Sequence, residues 1–423
     1  MIKYIFLICF TPLLLWGDVS KPNVILIFTD DQGYNDLSCY GSTKHKTPNI
    51  DTMAKEGIRF TDFYVAANFC SPSRVGLLTG CYPGRLGIGP GVLRPDSEYG
   101  VHPKEFTMAE MFKSAGYVTS CIGKWHIGFK EPFLPNNQGF DEYFGIYHNM
   151  DPYEMTFGED TMSLYRNEKA IEQLDTPATL TERYTEEAIK FITKNKDNPF
   201  FLYLPHTMAH KVWAVTDRFS GKSKGGLFGD VVECLDWSTG EILEKVKELG
   251  LDSNTIVLYI SDNGGFKGRN APLRGSKGHL FEGGFRVPAI VWGPGIIPEG
   301  VVSSEIASTI DLLPTFAKWL NVDLPNPIDG QDISPLLTTK KAKGRASYCY
   351  FDGERGVAIR DERFKLYKTV HGDYRLYDLQ NDISEKEDVI KKHPRATAYL
   401  KRKLLDYEYD LMVHRRLPGR MTE

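Results

Sequence analysis

The sequence lacks an excess of charge, a closely spaced pair of cysteines and a long apolar run beyond its first residues. Its 51 basic and 55 acidic residues give a formal net charge of −4, which argues against a general nucleic-acid binder. None of its 7 cysteines belongs to a Cys-x-x-Cys pair, a spacing typical of cysteine metal sites. The apolar run at residues 5–16 is too short for a comfortable membrane span. We therefore expect no nucleic-acid partner and no stable membrane span.

The amino-terminal residues are typical of a secretory signal peptide. Lys3 supplies a positive charge, residues 5–16 form the apolar centre, and Gly17 is a small residue suited to cleavage. We predict a signal peptide over residues 1–17 and an exported protein, either periplasmic or secreted, or lysosomal-type if the source is eukaryotic. Export permits disulfides. The wide cysteine spacing leaves their pairing open, and we expect at least one free thiol.

Polar residues follow several predicted strands at the point where each strand ends. The strands are short runs of apolar and β-branched residues, which is typical of strands buried on both faces of a parallel sheet. Open α/β sheets bind ligands outside the carboxyl ends of such strands. The sequence thus predicts one site for a metal and an anion at that edge. The polar groups are Asp30 with Asp31, Lys124 with His126, His206, and Asp262 with Asn263.

The carboxyl-terminal part has a different pattern, with short strands at regular spacing from residue 347 and a basic, helical segment from about residue 394. We predict an α/β protein with a large, mostly parallel mixed sheet flanked by helices, followed by a smaller antiparallel sheet with a helix. The predicted catalytic domain spans residues 18–337, and the predicted carboxyl-terminal subdomain spans residues 338–423.

A reactive cysteine is suggested by Cys70, followed by Pro72 and Arg74. Taken alone, this pattern is equally typical of a small buried cysteine beside a surface arginine. A second motif, residues 116–126, follows a predicted helix and ends in Gly123-Lys124-Trp125-His126. Together the two motifs resemble the signatures of the sulfatase family, in particular the arylsulfatase and N-acetylgalactosamine-sulfatase branch. The resemblance extends from about residue 21 to about residue 391.

The resemblance implies a modified nucleophile and a metal. In sulfatases the motif cysteine is oxidised to formylglycine, so Cys70 is the expected nucleophile. A formylglycine-generating enzyme or an anaerobic sulfatase-maturing enzyme is the expected partner. The family binds a calcium ion, Ca²⁺, and mixed carboxylate and amide ligands suit this ion. The expected metal ligands are Asp30, Asp31, Cys70 after modification, Asp262 and Asn263.

The resemblance also implies roles for the remaining polar groups. Arg74, Lys124 and Lys277 are expected to hold sulfate oxygens or to orient the hydrated aldehyde. One hydroxyl of the hydrate attacks sulfur, His206 protonates the departing alcohol, and His126 takes the proton of the second hydroxyl. Weaker assignments place His210 and His279 toward the substrate.

The expected function is therefore removal of sulfate from a sulfated carbohydrate by a sulfuric ester hydrolase. One alternative keeps the fold and changes the bond, giving a phosphomonoester or phosphonate ester hydrolase of the same superfamily. A second alternative is a non-catalytic protein that binds sulfated glycans and in which Cys70 stays a thiol.

Overall fold

Five parallel strands form the centre of the main sheet. The computed structural model describes residues 21–149, 163–266 and 269–421. Every residue is buried in three of these strands, Thr255–Ser261, Asn23–Thr29 and Phe200–Pro205. This agrees with their apolar, β-branched sequences. The predicted signal peptide, residues 1–17, lies outside the described residues. In sheet order the strands are β9 (Thr255–Ser261), β1 (Asn23–Thr29), β8 (Phe200–Pro205), β4 (Val118–Lys124) and β5 (Glu142–Ile146).

Further strands extend both edges of this sheet and make it mixed. Beyond β9 lie β10 (Arg286–Trp292), β2 (Ile58–Tyr64), β11 (Val301–Ser303) and β12 (Ala307–Ser308), with β10 antiparallel to both of its neighbours. Beyond β5 lie the antiparallel strands β6 (Ser163–Arg166) and β7 (Lys169–Gln173). The predicted large, mostly parallel mixed sheet is therefore confirmed.

Helices cover both faces of the sheet, as predicted for an α/β fold. One face packs against α2 (Cys70–Thr79), α3 (Met108–Ser114), α7 (Leu312–Leu320) and α8 (Ser334–Thr338). The other face packs against α1 (Pro48–Lys55), α4 (Leu180–Lys194) and α5 (Gly226–Glu248). In the described part of the chain, no helix has the length and apolar character needed to cross a membrane. The six cysteines described are all free thiols.

A second, antiparallel sheet follows the main one, as predicted. It contains β13 (Tyr348–Asp352), β14 (Arg355–Arg360), β15 (Phe364–Lys368) and β16 (Tyr374–Asp378), and α9 (Pro394–Val413) packs on it. The chain then returns to the main body, where β17 (Gly419–Arg420) pairs with β3 (Tyr99–Gly100). The predicted domain boundaries at residues 17 and 337 stay predictions.

A buried ionic network joins the two sheets. Lys365, on β15, places Nζ 3.1 Å from Oε1 of Glu282 and 2.9 Å from Oε1 of Glu385. Glu282 belongs to the short helix α6 (Glu282–Phe285) and also accepts a hydrogen bond of 2.6 Å from the Tyr64 hydroxyl. These side chains are buried, and buried charges persist only when they are paired and hydrogen-bonded.

Replacing Lys365 should destabilise the protein strongly. Lys365→Ala leaves two buried carboxylates without their shared cation, and breaking a buried pair in this way costs about 3–5 kcal/mol. We expect a clear fall in the urea midpoint of unfolding. Lys392→Ala is the matched control, because Lys392 forms an exposed ion pair of 2.6 Å with Glu387. Exposed pairs contribute about 0–1 kcal/mol, and equal midpoints for the two variants would contradict this account.

Candidate active site

Charged side chains from distant parts of the chain meet at the carboxyl edge of the main sheet. Asp30 and Asp31 follow β1, Asp262 follows β9, and Cys70 is the first residue of α2. One ligand atom from each of these four residues lies within 4.8 Å of those of the other three. All four residues are buried. The convergence expected from the strand ends is therefore present.

The register of the sheet explains why the acids meet. β1 and β9 are adjacent and parallel, with Thr29 opposite Ser261, so the residues that follow each strand also lie side by side. The backbone amide of Asp31 donates a hydrogen bond of 3.0 Å to Oδ1 of Asp262. Asp31 has a φ of +56°, in the left-handed region, which residues other than glycine seldom adopt.

Lys124 reaches the same point from β4, and a glycine before it makes this possible. A Cβ atom added at Gly123 would lie 2.0 Å from the carbonyl oxygen of Pro205, and Gly123 has a φ of +135°. Only glycine allows β4 to approach β8 this closely. The Nζ of Lys124 then forms a short ion pair with Oδ2 of Asp30.

Two further cations complete the cluster. Arg74, one turn into α2, places Nη2 2.9 Å from Oδ2 of Asp262 and 3.2 Å from Oδ2 of Asp30. Lys277 donates from Nζ to Oδ2 of Asp31 at 2.9 Å and lies 3.2 Å from the Cys70 sulfur. Each carboxylate of the cluster thus lies beside at least one of these cations, as buried charges require.

The Cys70 thiol is not activated in this setting. Burial raises its pKa well above the usual value, Asp30 raises it further, and Lys124 and Lys277 only partly oppose this. The thiolate is the reactive form of cysteine. A protonated, buried thiol beside carboxylates is a poor nucleophile, so the unmodified residue does not explain a reaction at this position.

The oxygen atoms around Cys70 fit a hard divalent cation. Burial and the neighbouring Asp30 raise the pKa of Asp262, which is the effect of carboxylates crowded together without enough positive charge. Asn263 donates from Nδ2 to Oδ1 of Asp31 at 2.7 Å. In the described part of the chain, its buried Oδ1 has no hydrogen-bond partner. Carboxylate and amide oxygens are the ligands that calcium prefers.

The prediction for His206 needs correction, because the structure does not bring it to the cluster. Side chains alternate along β8, and His206 continues the face that packs against α4 and α5. Its Nε2 lies 3.3 Å from Oγ of Ser238, and its ring contacts that of Tyr184. Burial alone lowers the pKa of His206 to about 3, and no charged group contributes. His206 is a packed core residue of this face.

The structure brings His210 to the cluster in its place. Its Nε2 lies 3.6 Å from Oδ2 of Asp31, and a ring nitrogen lies within 4.8 Å of ligand atoms of both Asp30 and Cys70. Burial lowers the pKa of His210, while the Asp31 carboxylate opposes that shift. His210 was expected only on the substrate side, and the spacing of the two histidines gave no signal for choosing between them.

His126 lies just beyond the end of β4, next to a histidine that the sequence did not single out. Its φ is +66°, and neither ring nitrogen has a partner among the described residues. Burial, followed by the charge of Lys124, lowers its pKa well below the usual value, so the ring is neutral. The ring of His148 packs edge-on at 4.5 Å between centroids. Because Lys124 pairs with Ile146, residues 126 and 148 come opposite each other.

His279 shares its loop with Lys277 but does not enter the cluster. The residue is exposed, and its Nδ1 lies 2.9 Å from Oγ of Ser276. The structure therefore brings the predicted site residues together at the sheet edge, with the exception of His206 and His279. His210, which was expected on the substrate side, belongs to this cluster.

Comparisons with known proteins agree with this site and fold. The family model described as Sulfatase matches residues 22–322, and the model described as N-sulphoglucosamine sulphohydrolase, C-terminal, matches residues 276–410. The chain is 38% identical over 383 residues to Arylsulfatase A of Homo sapiens, covering 83% of this chain and 75% of that protein. It is 35% identical over 379 residues to N-acetylgalactosamine-6-sulfatase of Canis lupus familiaris, covering 83% and 72% respectively.

The crystal structure of Ps i-CgsB in complex with k-i-k-neocarrahexaose has a TM-score of 0.82 and 30% identity, covering 95% of this chain and 96% of that chain. The fold and the charged sheet edge define an α/β enzyme of the alkaline phosphatase-like fold. Within that class, the chain belongs to the sulfatase family. The expected enzyme class is confirmed, and the alternative of a non-catalytic glycan binder is not supported.

Proposed function

We propose that the protein removes sulfate from a sulfated carbohydrate, using a formylglycine formed from Cys70 and a bound calcium ion. The observation that supports this most directly is the buried Cys70 sulfur, which lies among carboxylates and cations suited to a metal and an anion. Two relatives support the substrate class. One is named for N-acetylgalactosamine, and the other was solved with k-i-k-neocarrahexaose.

The calcium ligands in this proposal are Asp30, Asp31, Asp262, Asn263 and the modified residue 70. Bound calcium would supply positive charge beside the sulfate oxygens. Sulfur is a soft ligand that suits calcium poorly, whereas an oxygen at position 70 suits it well. The modification therefore serves the metal as well as the chemistry, since a hydrated aldehyde supplies a hydroxyl nucleophile that the protonated thiol cannot.

The chain's own cations position the substrate. Lys277 contacts residue 70, and Lys124 pairs with Asp30 beside it. Both lysines are therefore suited to hold sulfate oxygens. Arg74 is fully buried and bridges Asp30 and Asp262, so it fixes the position of both acids and of the start of α2. Fixed charges of this kind contribute about 3 kcal/mol each to transition-state stabilisation.

Two histidines divide the proton transfers. His210 is positioned to donate a ring proton to the departing alcohol oxygen, because its Nε2 lies 3.6 Å from Oδ2 of Asp31. Burial lowers the pKa of His210, and the Asp31 carboxylate opposes that shift. His126 accepts a proton from the side chain at position 70, because burial and Lys124 keep its ring neutral. His206 has no part in either transfer.

We further propose that residues 1–17 direct export and that a formylglycine-generating or anaerobic sulfatase-maturing enzyme modifies Cys70. Peptide mass spectrometry of residue 70 from a host that contains such an enzyme should show the aldehyde or its hydrate. An unmodified thiol in fully active protein would contradict the proposed nucleophile.

Replacing Cys70 tests the proposed reaction directly. Cys70→Ala should abolish sulfate release, because the hydroxyl nucleophile of the proposed reaction forms at position 70. Cys349→Ala, which alters a buried thiol of the small sheet, should retain turnover and serves as the matched control. Sulfate and phosphate esters of one alcohol should be compared in the same assay. Preference for the phosphate ester would contradict the proposed bond specificity.

Removing the leaving-group acid should be compensated by a better leaving group. His210→Ala should slow hydrolysis of alkyl sulfates by about 100- to 10,000-fold, the usual contribution of general acid catalysis. Aryl sulfates with an acidic phenol need no such proton, so their hydrolysis should recover. Steady-state rates across a leaving-group series check this. His126→Ala should show no such recovery. For His206→Ala, the rate relative to wild type should be the same for every leaving group.

Calcium should bind through Oδ1 of Asn263, which has no hydrogen-bond partner among the described residues. A chelator should abolish activity, added calcium should restore it, and calcium should raise the midpoint of thermal unfolding. In Asn263→Ala, the calcium concentration needed for the same rise in that midpoint should increase at least about tenfold. The reason is that a contact to a charged group contributes about 1.5–3 kcal/mol. Asn381→Ala, in the turn after β16, should behave as wild type. A calcium response unchanged by Asn263→Ala would rule out this ligand.

A further inference from the structure

Arg269 lies against two of the elements that build the active site. Its carbonyl oxygen accepts a hydrogen bond of 3.1 Å from the backbone amide of Asn35. A Cβ atom added at Gly33 would lie 2.4 Å from that same oxygen, so Arg269 packs directly on the turn that follows Asp31. The other neighbour of Arg269 is the loop that follows His210, through Trp213.

The Arg269 guanidinium rests on an aromatic pair. Its Cζ lies 3.7 Å from the ring centroid of Phe228 and 5.3 Å from that of Trp213. Trp213 is fixed in turn, because its Nε1 donates a hydrogen bond of 2.9 Å to the carbonyl oxygen of Ala209, the residue before His210. Stacking on aromatic faces suits the planar, weakly hydrated guanidinium. The arginine is therefore held in place by stacking and not by an acid.

No carboxylate in the described ranges pairs with Arg269. Its Nη1 is buried and has no hydrogen-bond partner among those residues. Asp36 and Asp31 act on its charge only at longer range. Both acids are already engaged, Asp36 by the backbone amide of Gly33 at 2.7 Å and Asp31 by Lys277 at 2.9 Å.

Arg218 shows what an ordinary stacked arginine looks like in this protein. Its Cζ lies 4.2 Å from the ring centroid of Trp237, and its Nη1 lies 3.6 Å from Oε1 of Glu182. Arg218 thus combines the aromatic contact with an acidic partner. Arg269 has the aromatic contact alone, although a partly buried cation without a partner is costly. An anion bound to the guanidinium would offset that cost.

We propose that Arg269, supported by Phe228 and Trp213, binds a second anionic group, a sulfate ester or a carboxylate, on the saccharide whose sulfate is released at residue 70. This inference rests on the proposed function. The guanidinium presents parallel N–H donors that match the two oxygens of either group. The backbone of Arg269 packs on the turn that follows Asp31, and its guanidinium stacks on Trp213 in the loop that follows His210. The second group would therefore lie near the scissile sulfate, on the same sugar or the next one.

The arginine site would make the enzyme selective among sulfated sugars. A site built to bond a polar group rejects substrates that lack the group, because its own polar atoms are then left unpaired. Substrates with one sulfate and no other charge should therefore be poor. The partly buried face of Trp213 beside the arginine also suits the apolar face of a sugar ring.

Three matched saccharides test the proposal: one with a single sulfate, one with a second sulfate, and one with a single sulfate and a uronic acid carboxylate. The mature wild-type enzyme should show a kcat/KM about 10- to 100-fold higher for at least one doubly anionic compound, the range expected for one hydrogen-bonded ion pair. The compound favoured identifies the group. In Arg269→Gln the ratio of kcat/KM values should fall to about one, and Arg269→Lys should retain part of it.

Arg218→Gln is the matched control and should keep the wild-type ratio. A wild type without preference, or an Arg269→Gln variant that lowers all three kcat/KM values by one factor, would overturn the proposal. Calorimetric binding of the same compounds separates it from the proposed function. A wild type that binds the doubly anionic compounds preferentially and releases no sulfate would contradict the function and support the arginine site. Binding that shows no preference would reject the arginine site whatever the catalytic result.

Discussion

The mutual pairing of buried charges at one edge of the main sheet is the constraint on which the rest of this structure depends. Asp30, Asp31 and Asp262 would repel one another if they stood alone. They are held together by Arg74 and by two lysines that arrive from other elements. The arrangement leaves little freedom for the residue between them, and that residue is Cys70. The position of Cys70 is thus set by electrostatics as much as by the helix it begins.

The two histidines after β8 are four residues apart, and the backbone places them in different surroundings. His206 continues the alternation of the strand and packs under α5, where Ser238 contacts its ring. His210 lies beyond the strand end, where alternation no longer applies, and turns toward Asp31. Both are buried, yet only His210 is close to a carboxylate. The difference in their neighbours, not in their burial, makes one a candidate acid and the other a core residue.

The small carboxyl-terminal sheet is linked to the chemistry through the loop that carries Lys277. The backbone amide of Glu282 donates a hydrogen bond of 2.9 Å to Glu385, and Arg274 donates one of 2.8 Å to the carbonyl oxygen of the same residue. Glu385 is held by Lys365 of the second sheet. The loop therefore spans two fixed points, the buried network on one side and the Cys70 cluster on the other. This connection gives the second sheet a role in positioning Lys277.

The amino-acid sequence by itself determined the fold class and most of the site. Apolar, β-branched runs specify buried parallel strands, and such strands share one carboxyl edge. The polar residues at the ends of β1, β4 and β9, among them Asp30, Lys124 and Asp262, therefore had to come together. Only the tertiary structure decided three further features. These are the choice between His206 and His210, the contact between His126 and His148, and the lack of an acidic partner for Arg269 among the described residues. These features depend on where a strand stops alternating, on the register between neighbouring strands, and on which partners surround a side chain. All three are relations between segments far apart in the chain, and local patterns do not encode them.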